Sequence, residues 1–303
     1  MRVISIHSHK GGAGKTTLTL MIAKVQAKAG RKVCAVDLDF IGSGFEHLLD
    51  VQSPEKFLDH YITKDPGSPN LPRVEEMITS YSDRDLGKYS MALVFNMAGS
   101  AVNKEREDQN KSVSLVGMEP ASKIVGRSIN RFLSKLEEDG YDTVVLDCHP
   151  GLAYLSKSLL RYGKKSPFQE HIFLFVTTLN RAHFYGLINE LNILAAVEYG
   201  NLFNPSHSIL CLNRADPQRY GRWKDLMGYT HKVMFKKDQA LSRMSTFEKI
   251  CLKGGGMNFI CFNDSEAVTK WGDIGGGGEI LLPVKDDIRV ADTLLCKRVF
   301  KGL

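Results

Sequence analysis

The most chemically loaded stretch of the chain is His9-Lys10-Gly11-Gly12-Ala13-Gly14-Lys15-Thr16-Thr17, in which two lysines flank four small residues and two threonines follow. Small residues let backbone N–H groups converge on phosphate oxygens. A helix beginning just behind them adds a favourable dipole. In such a loop Lys15 would reach the β- and γ-phosphates of a nucleotide, and the Thr16 hydroxyl would bind Mg²⁺. Gly11, Gly12, Ala13, Gly14, Lys15, Thr16 and Thr17 are therefore the expected phosphate contacts. The strict pattern GxxxxGK[ST] is not met, because His9 stands where its first glycine belongs. What is present is KGGxGKTT, with Lys10 as an additional cation. Three acids stand where apolar runs end: Asp37 and Asp39 in VDLDFIGSGFEHLL, and Asp147 in YDTVVLDCHPGL.

These residues need elements to position them. Val3 to Ile6 is a short apolar run that predicts a buried strand ahead of the loop. Leu18, Met21, Ile22, Val25 and Ala29 recur at helical spacing behind it, with Gly30 where a C-cap belongs. Val33 to Val36 predicts the next strand, so residues 1–39 form one βαβ unit. Further strands are expected at Met91–Phe95, Thr143–Leu146, Ile172–Val176, Ser208–Leu212, Phe259–Phe262 and Ile280–Val284. Helices are expected around Phe57–Ile62, Ile124–Leu136, Phe184–Leu194, 236–252 and 287–300. Strands alternating with helices imply an α/β fold whose mainly parallel central sheet is covered on both faces. One domain over 1–303 is expected, with insertions at about 97–121 and 215–278. The first insertion carries the charged run Lys104 to Asp108 and reads as exposed and mobile.

Composition narrows the class. Of 303 residues 43% are apolar and 24% charged, which excludes a disordered or collagen-like chain. No apolar run approaches the roughly 20 residues that span a bilayer. The N-terminus lacks the pattern of a secretory signal. Lys and Arg outnumber Asp and Glu by 40 to 34, a mildly basic balance that permits contact with nucleic acid or an anionic membrane without requiring either. Six cysteines, none in a CxxC or CxC pair, fit a reducing cytoplasm, the expected location.

The loop and the acids together resemble the MinD/ParA family of deviant-Walker P-loop ATPases, which also contains the Mrp-type iron–sulfur carriers. The likeness covers about 1–50, 90–215 and 279–296. It implies ATP and Mg²⁺ as cofactors, ATP hydrolysis, and a homodimer formed on ATP binding. Lys10 matches the signature lysine that reaches across the dimer to the partner's phosphates. Asp39 would orient the attacking water, which makes Lys10, Lys15 and Asp39 the catalytic set. Asp37 would help hold the Mg²⁺ shell, and Asp147 would hold the ion through water. Gly151 would sense the γ-phosphate with its backbone N–H. Asn213, closing ILCLN, would pair with the adenine edge, and Pro283 in ILLPVKDDIRVAD would lie near the base. The family usually has an apolar or small residue and Pro where this chain has Cys148 and His149, and the histidine has no assigned role.

The output surface is weakly encoded. A ParA-like DNA surface is open at Arg219, Arg222, Lys224, Lys232, Lys236 and Lys237, with Tyr220 and Trp223 among them, though a solvated surface is the simpler reading. A MinD-like membrane helix is open at Leu294, Leu295, Val299 and Phe300, though a packed last helix is the simpler reading. Hence the expected function is an ATP-dependent dimerising switch, of positioning or partition type. It would control binding to a partner, DNA or a membrane, and an activating protein partner is expected. The alternatives are a regulatory ATPase acting on a protein effector and an Mrp-like cluster carrier, the latter opposed by the missing CxxC. A kinase of the bacterial tyrosine type is opposed by the absence of a C-terminal tyrosine cluster.

Overall fold

The structure is a computed structural model of the chain. It describes residues 1–40, 44–49, 51, 54, 56–62, 70–96, 119–151, 156, 159–160, 170–195, 204–220, 258–263, 279–282, 288–290 and 293–300. The expected helix over 236–252, nearly all of both insertions, and Pro283 lie outside the described residues.

Among the described residues nine strands form: β1 (Arg2–Ser8), β2 (Val33–Leu38), β3 (Ile78–Tyr81), β4 (Met91–Val94), β5 (Thr143–Cys148), β6 (Glu170–Thr177), β7 (Ser208–Leu212), β8 (Asn258–Phe262) and β9 (Ile288–Val290). They form one sheet in the order β3-β4-β2-β5-β1-β6-β7-β8-β9. Pairs from β4 to β8 across the sheet are parallel, and only the edge strands β3 and β9 run antiparallel. The described helices are α1 (Lys15–Lys28), α2 (Leu58–Ile62), α3 (Glu119–Glu138), α4 (Arg181–Ala195), α5 (Pro217–Tyr220) and α6 (Leu294–Phe300).

Every residue of β2, β5 and β7 is buried, as a sheet covered on both faces requires. Period-2 alternation sorts their side chains. Ile4, Ile6, Ala35 and Val145 face a layer holding Leu20 and Ile22 of α1 with Leu295 and Val299 of α6. Val3, Val36, Val144 and Leu146 face the opposite layer, with Leu58 and Ile62 of α2 and Phe132 and Leu136 of α3. Each such side chain contributes about 1.5–3 kcal/mol of burial. The result is a rigid platform in which the carboxyl ends of β2, β5, β1, β6 and β7 lie side by side, the usual place for a ligand in this class of sheet.

Two expectations are corrected. Ile280 to Val284 is not a strand over its described part. Its ladder groups are taken by side chains: the Ile280 N–H donates to the Tyr81 hydroxyl at 3.1 Å, and Lys24 Nζ donates to the Ile280 carbonyl at 2.5 Å. The expected helix over 287–300 is split into β9 and α6. Ile288 and Val290 are β-branched residues two apart, suited to an edge strand. As for α6, Leu295, Val299 and Phe300 are buried, and Gln26 of α1 donates to the Val299 carbonyl at 2.7 Å, so it is a packed helix.

Candidate functional site

Residues 9–14 carry the chain from β1 into α1. The loop turns tightly because Gly12 and Gly14 adopt positive φ, +75° and +91°, which side chains rarely tolerate. A Cβ on Gly14 would also stand 2.3 Å from Asn213 Nδ2. That close approach exists because Asn213, just beyond β7, donates from Nδ2 to the Ala13 carbonyl at 3.0 Å. The Ser8 hydroxyl donates to the Lys10 carbonyl at 2.8 Å. No acid occupies the first turn of α1, so its N-terminal N–H groups and dipole are left for an anion.

The two lysines are segregated. Lys15 is 5% exposed, and its charge acts on Asp147, Cys148 and the buried His7. Burial, with Lys15 beside it, pushes the His7 pKa down to about 3, so this ring adds no competing charge beneath the loop. Lys10 is exposed on the loop.

The acids come from neighbouring strands. Asp37 of β2 and Asp147 of β5 stand opposite each other in parallel register, and both are fully buried. Neither oxygen of Asp147 has a hydrogen-bond partner among the described residues. Burial pushes its pKa up to about 6, while Lys15 and the nearby Thr16 hydroxyl pull the other way. Burial and the neighbouring Asp147 charge raise Asp37 well above the usual carboxylate range, although Asp37 Oδ1 accepts the Asp39 N–H at 2.9 Å. A Cβ on Gly44 would lie 1.4 Å from Asp37 Oδ2, so glycine there makes room for the carboxylate. Two adjacent buried carboxylates, one of them orphaned, are expensive unless a cation meets them. With the Thr16 hydroxyl they are hard oxygen donors that fit Mg²⁺. Among the described residues no set of three or more His, Cys, Asp or Glu is arranged to hold an ion.

Asp39 follows β2. Its carbonyl accepts from Asn96 Nδ2 at 3.1 Å, and its Oδ1 accepts from His149 Nδ1 at 2.7 Å. Gly151, at φ +82°, donates its N–H to the Ser8 carbonyl at 2.7 Å. The group expected to sense a phosphate is thus engaged with the end of β1.

One contact was invisible in the sequence. His9 Nδ1 meets Glu190 Oε1 of α4 at 2.8 Å, and the His9 ring packs on Gly186, where a Cβ would lie 1.9 Å away. A weak signal existed: His9 departs from the glycine of the strict loop pattern, so its side chain needs its own seat. His183 belongs to the same corner, its pKa lowered by burial and by Lys10 and His9.

Five cysteines, Cys34, Cys148, Cys211, Cys261 and Cys296, are free and buried, and burial raises each thiol pKa. Such thiols give up protons reluctantly and face no surface, which disfavours a cluster site built from them. Cys251 lies outside the described residues.

The family model described as AAA domain matches residues 1–164, just over half of the chain. The chain belongs to this family, as a P-loop ATPase of the MinD/ParA type. A putative replication protein A from Sinorhizobium fredii is 29% identical over 166 residues, covering 53% of this chain. In that match the chain spans only 37% of the relative's own length. A putative plasmid partition protein from Borrelia burgdorferi, bound to AMPPNP, superposes with a TM-score of 0.56 at 16% identity, covering 94% of this chain and 93% of that one. MinD in the MinC:MinD cell division complex of Aquifex aeolicus gives 0.52 at 15% identity, covering 91% and 86%. At these identities the two structures establish a shared fold. No helix among the described residues is long and apolar enough to cross a membrane.

Proposed function

We propose that this MinD/ParA-type chain is an ATP-hydrolysing switch that dimerises on ATP and, as a dimer, controls binding to another macromolecule. The observation that carries the reading is the segregation of the lysines beside the buried Asp37–Asp147 pair. Lys15 is enclosed where it can neutralise phosphates in its own subunit, while Lys10 is exposed where a second copy can meet it.

The chain's residues divide the work. Backbone N–H groups of Gly11, Gly12, Ala13, Gly14 and Thr17 and the N-terminus of α1 receive the phosphates. Thr16, Asp37 and Asp147 would hold Mg²⁺. When bound, the ion neutralises charge on the β- and γ-phosphates. Asp39 positions a water for in-line attack. Lys10 stabilises the charge that grows on the γ-phosphate of the partner subunit, so catalysis is positioning plus electrostatics. Gly151 exchanges the Ser8 carbonyl for the γ-phosphate when ATP enters. Asn213 would turn from Ala13 toward the adenine edge.

A partition or positioning role is supported by what the chain resembles, a partition protein bound to AMPPNP and MinD in complex with MinC. An activating protein partner belongs to the same proposal. Lys15→Ala is expected to abolish ATP binding measured by calorimetry, because the β- and γ-phosphates lose their main cation. Unchanged affinity would remove the loop from the reading.

A further inference from the structure

We propose that His149 is a positioning residue for hydrolysis: its imidazole fixes the Asp39 carboxylate in the orientation that holds the attacking water. This rests on the proposed role of Asp39 and adds a second residue to it.

The geometry builds up from strand register. β2 and β5 run parallel, with Asp37 opposite Asp147 and Leu38 opposite Cys148. One step further, past the last paired residues, Asp39 comes opposite His149. The Asp39 backbone is already pinned on both sides. Its N–H donates to Asp37 Oδ1, and its carbonyl accepts from Asn96. The His149 contact at 2.7 Å holds the side chain as well. Both side chains are mostly enclosed, 18% and 13% exposed, so the bond is shielded from competing water.

The chemistry suits a clamp. A carboxylate only accepts hydrogen bonds, so the His149 tautomer carrying its proton on Nδ1 is the one that fits. A neutral imidazole suffices. One N–H occupies one of about four acceptor positions on the carboxylate, so this contact does not by itself exclude a water. A base held by a third group is the usual way to keep a water within hydrogen-bond reach, and misplacement by about 1 Å can cost on the order of 100-fold in rate.

The test is steady-state ATP hydrolysis at saturating Mg-ATP for wild type, His149→Ala, His149→Asn, Asp39→Ala and the double variant His149→Ala/Asp39→Ala. Affinity for a non-hydrolysable ATP analogue and melting temperature are measured for each. His149→Ala is expected to lower kcat by about 10- to 100-fold, with analogue affinity and melting temperature unchanged. His149→Asn places an amide N–H near the Nδ1 position and is expected to recover most of the loss. On an Asp39→Ala background the histidine replacement is expected to change the rate less than about 3-fold, because the two residues act as one unit. The proposal is overturned if His149→Ala hydrolyses at or above the wild-type rate while Asp39→Ala is impaired, a result that leaves the role of Asp39 intact. It is overturned equally if the loss is additive with Asp39→Ala, or if His149→Asn behaves as His149→Ala. If Asp39→Ala hydrolyses like wild type, the role of Asp39 falls first and the clamp with it. Should His149→Ala fail to fold, His149→Asn against wild type and Asp39→Ala still decides, since near-wild-type kcat is the expected result.

Discussion

Lys24 lies in the middle of α1 with its ammonium 1% exposed, and replacing it with methionine should be one of the most destabilising single changes in the chain. Its Nζ is 2.7 Å from Asp83 and 3.1 Å from Asp85, and it donates to the Ile280 carbonyl at 2.5 Å. Asp85 is 59% exposed, so that contact contributes little. Asp83 is 3% exposed and would be left as a buried charge. It keeps the Tyr81 hydroxyl and the Leu86 N–H, each at 2.9 Å. That places the loss at the lower end of the range for breaking a buried pair, about 3 kcal/mol. At about 2–4 °C per kcal/mol the melting temperature should fall by roughly 6–12 °C. The pH dependence has a definite sign. Burial pushes the Asp83 pKa up, but Lys24, the Leu86 N–H and the Tyr81 hydroxyl outweigh it and hold the value below the usual range. A depressed carboxylate contributes stability above its unfolded pKa and loses it as pH falls through the folded value. Without Lys24 burial prevails, and the same carboxylate becomes a penalty that grows as pH rises above about 4. Thermal melts from pH 4.5 to 7.5 should therefore show the largest gap from wild type at neutral pH and a narrowing gap toward acid. Lys24→Met/Asp83→Asn should recover at least half of the neutral-pH loss. A Lys24→Met melt within 1 °C of wild type at pH 7, or a gap that widens toward acid, would refute the argument.

Asp147→Asn should raise the melting temperature in EDTA while abolishing Mg²⁺-dependent hydrolysis. Moving the pKa from 3.8 to about 6 means the charged form costs about 3 kcal/mol at pH 7. A destabilised variant, or one that still hydrolyses ATP, contradicts the metal-holding role. Gly186→Ala puts a methyl within 1.9 Å of His9 Cδ2 and should drive the ring from Glu190, weakening nucleotide binding by about 1–3 kcal/mol. Calorimetry with an ATP analogue checks it, and wild-type affinity would mean that α4 does not support the loop.

The tight turn between β1 and α1 was legible because its determinants are local. Gly12 and Gly14 mark left-handed turns, and lysines flank them within a few residues. The parallel sheet was legible because its buried strands read as uninterrupted apolar runs. What the sequence concealed depends on register and tertiary contact. His149 meets Asp39 across 110 residues only because β2 and β5 pair as they do, and His9 meets Glu190 across 181. The apolar run beginning at Ile280 looked like a strand, yet Tyr81 and Lys24 satisfy the Ile280 backbone groups that a ladder would have taken. The edge strand β3 was missed because three of its four residues, Thr79, Ser80 and Tyr81, carry hydroxyls and only Tyr81 is buried.

Light scattering on wild type and Lys10→Ala, with Mg²⁺ and a non-hydrolysable ATP analogue, tests the switch most directly. The two lysines must differ if the account is right. Two triphosphates brought face to face repel unless each meets a cation from the other subunit, the role proposed for exposed Lys10. Wild type should shift from monomer to dimer mass, with specific ATPase activity rising over the same concentration range. Lys10→Ala should bind the analogue, remain a monomer and lose that activity. If Lys10→Ala dimerises and hydrolyses like wild type, this chain does not work as a two-lysine sandwich switch.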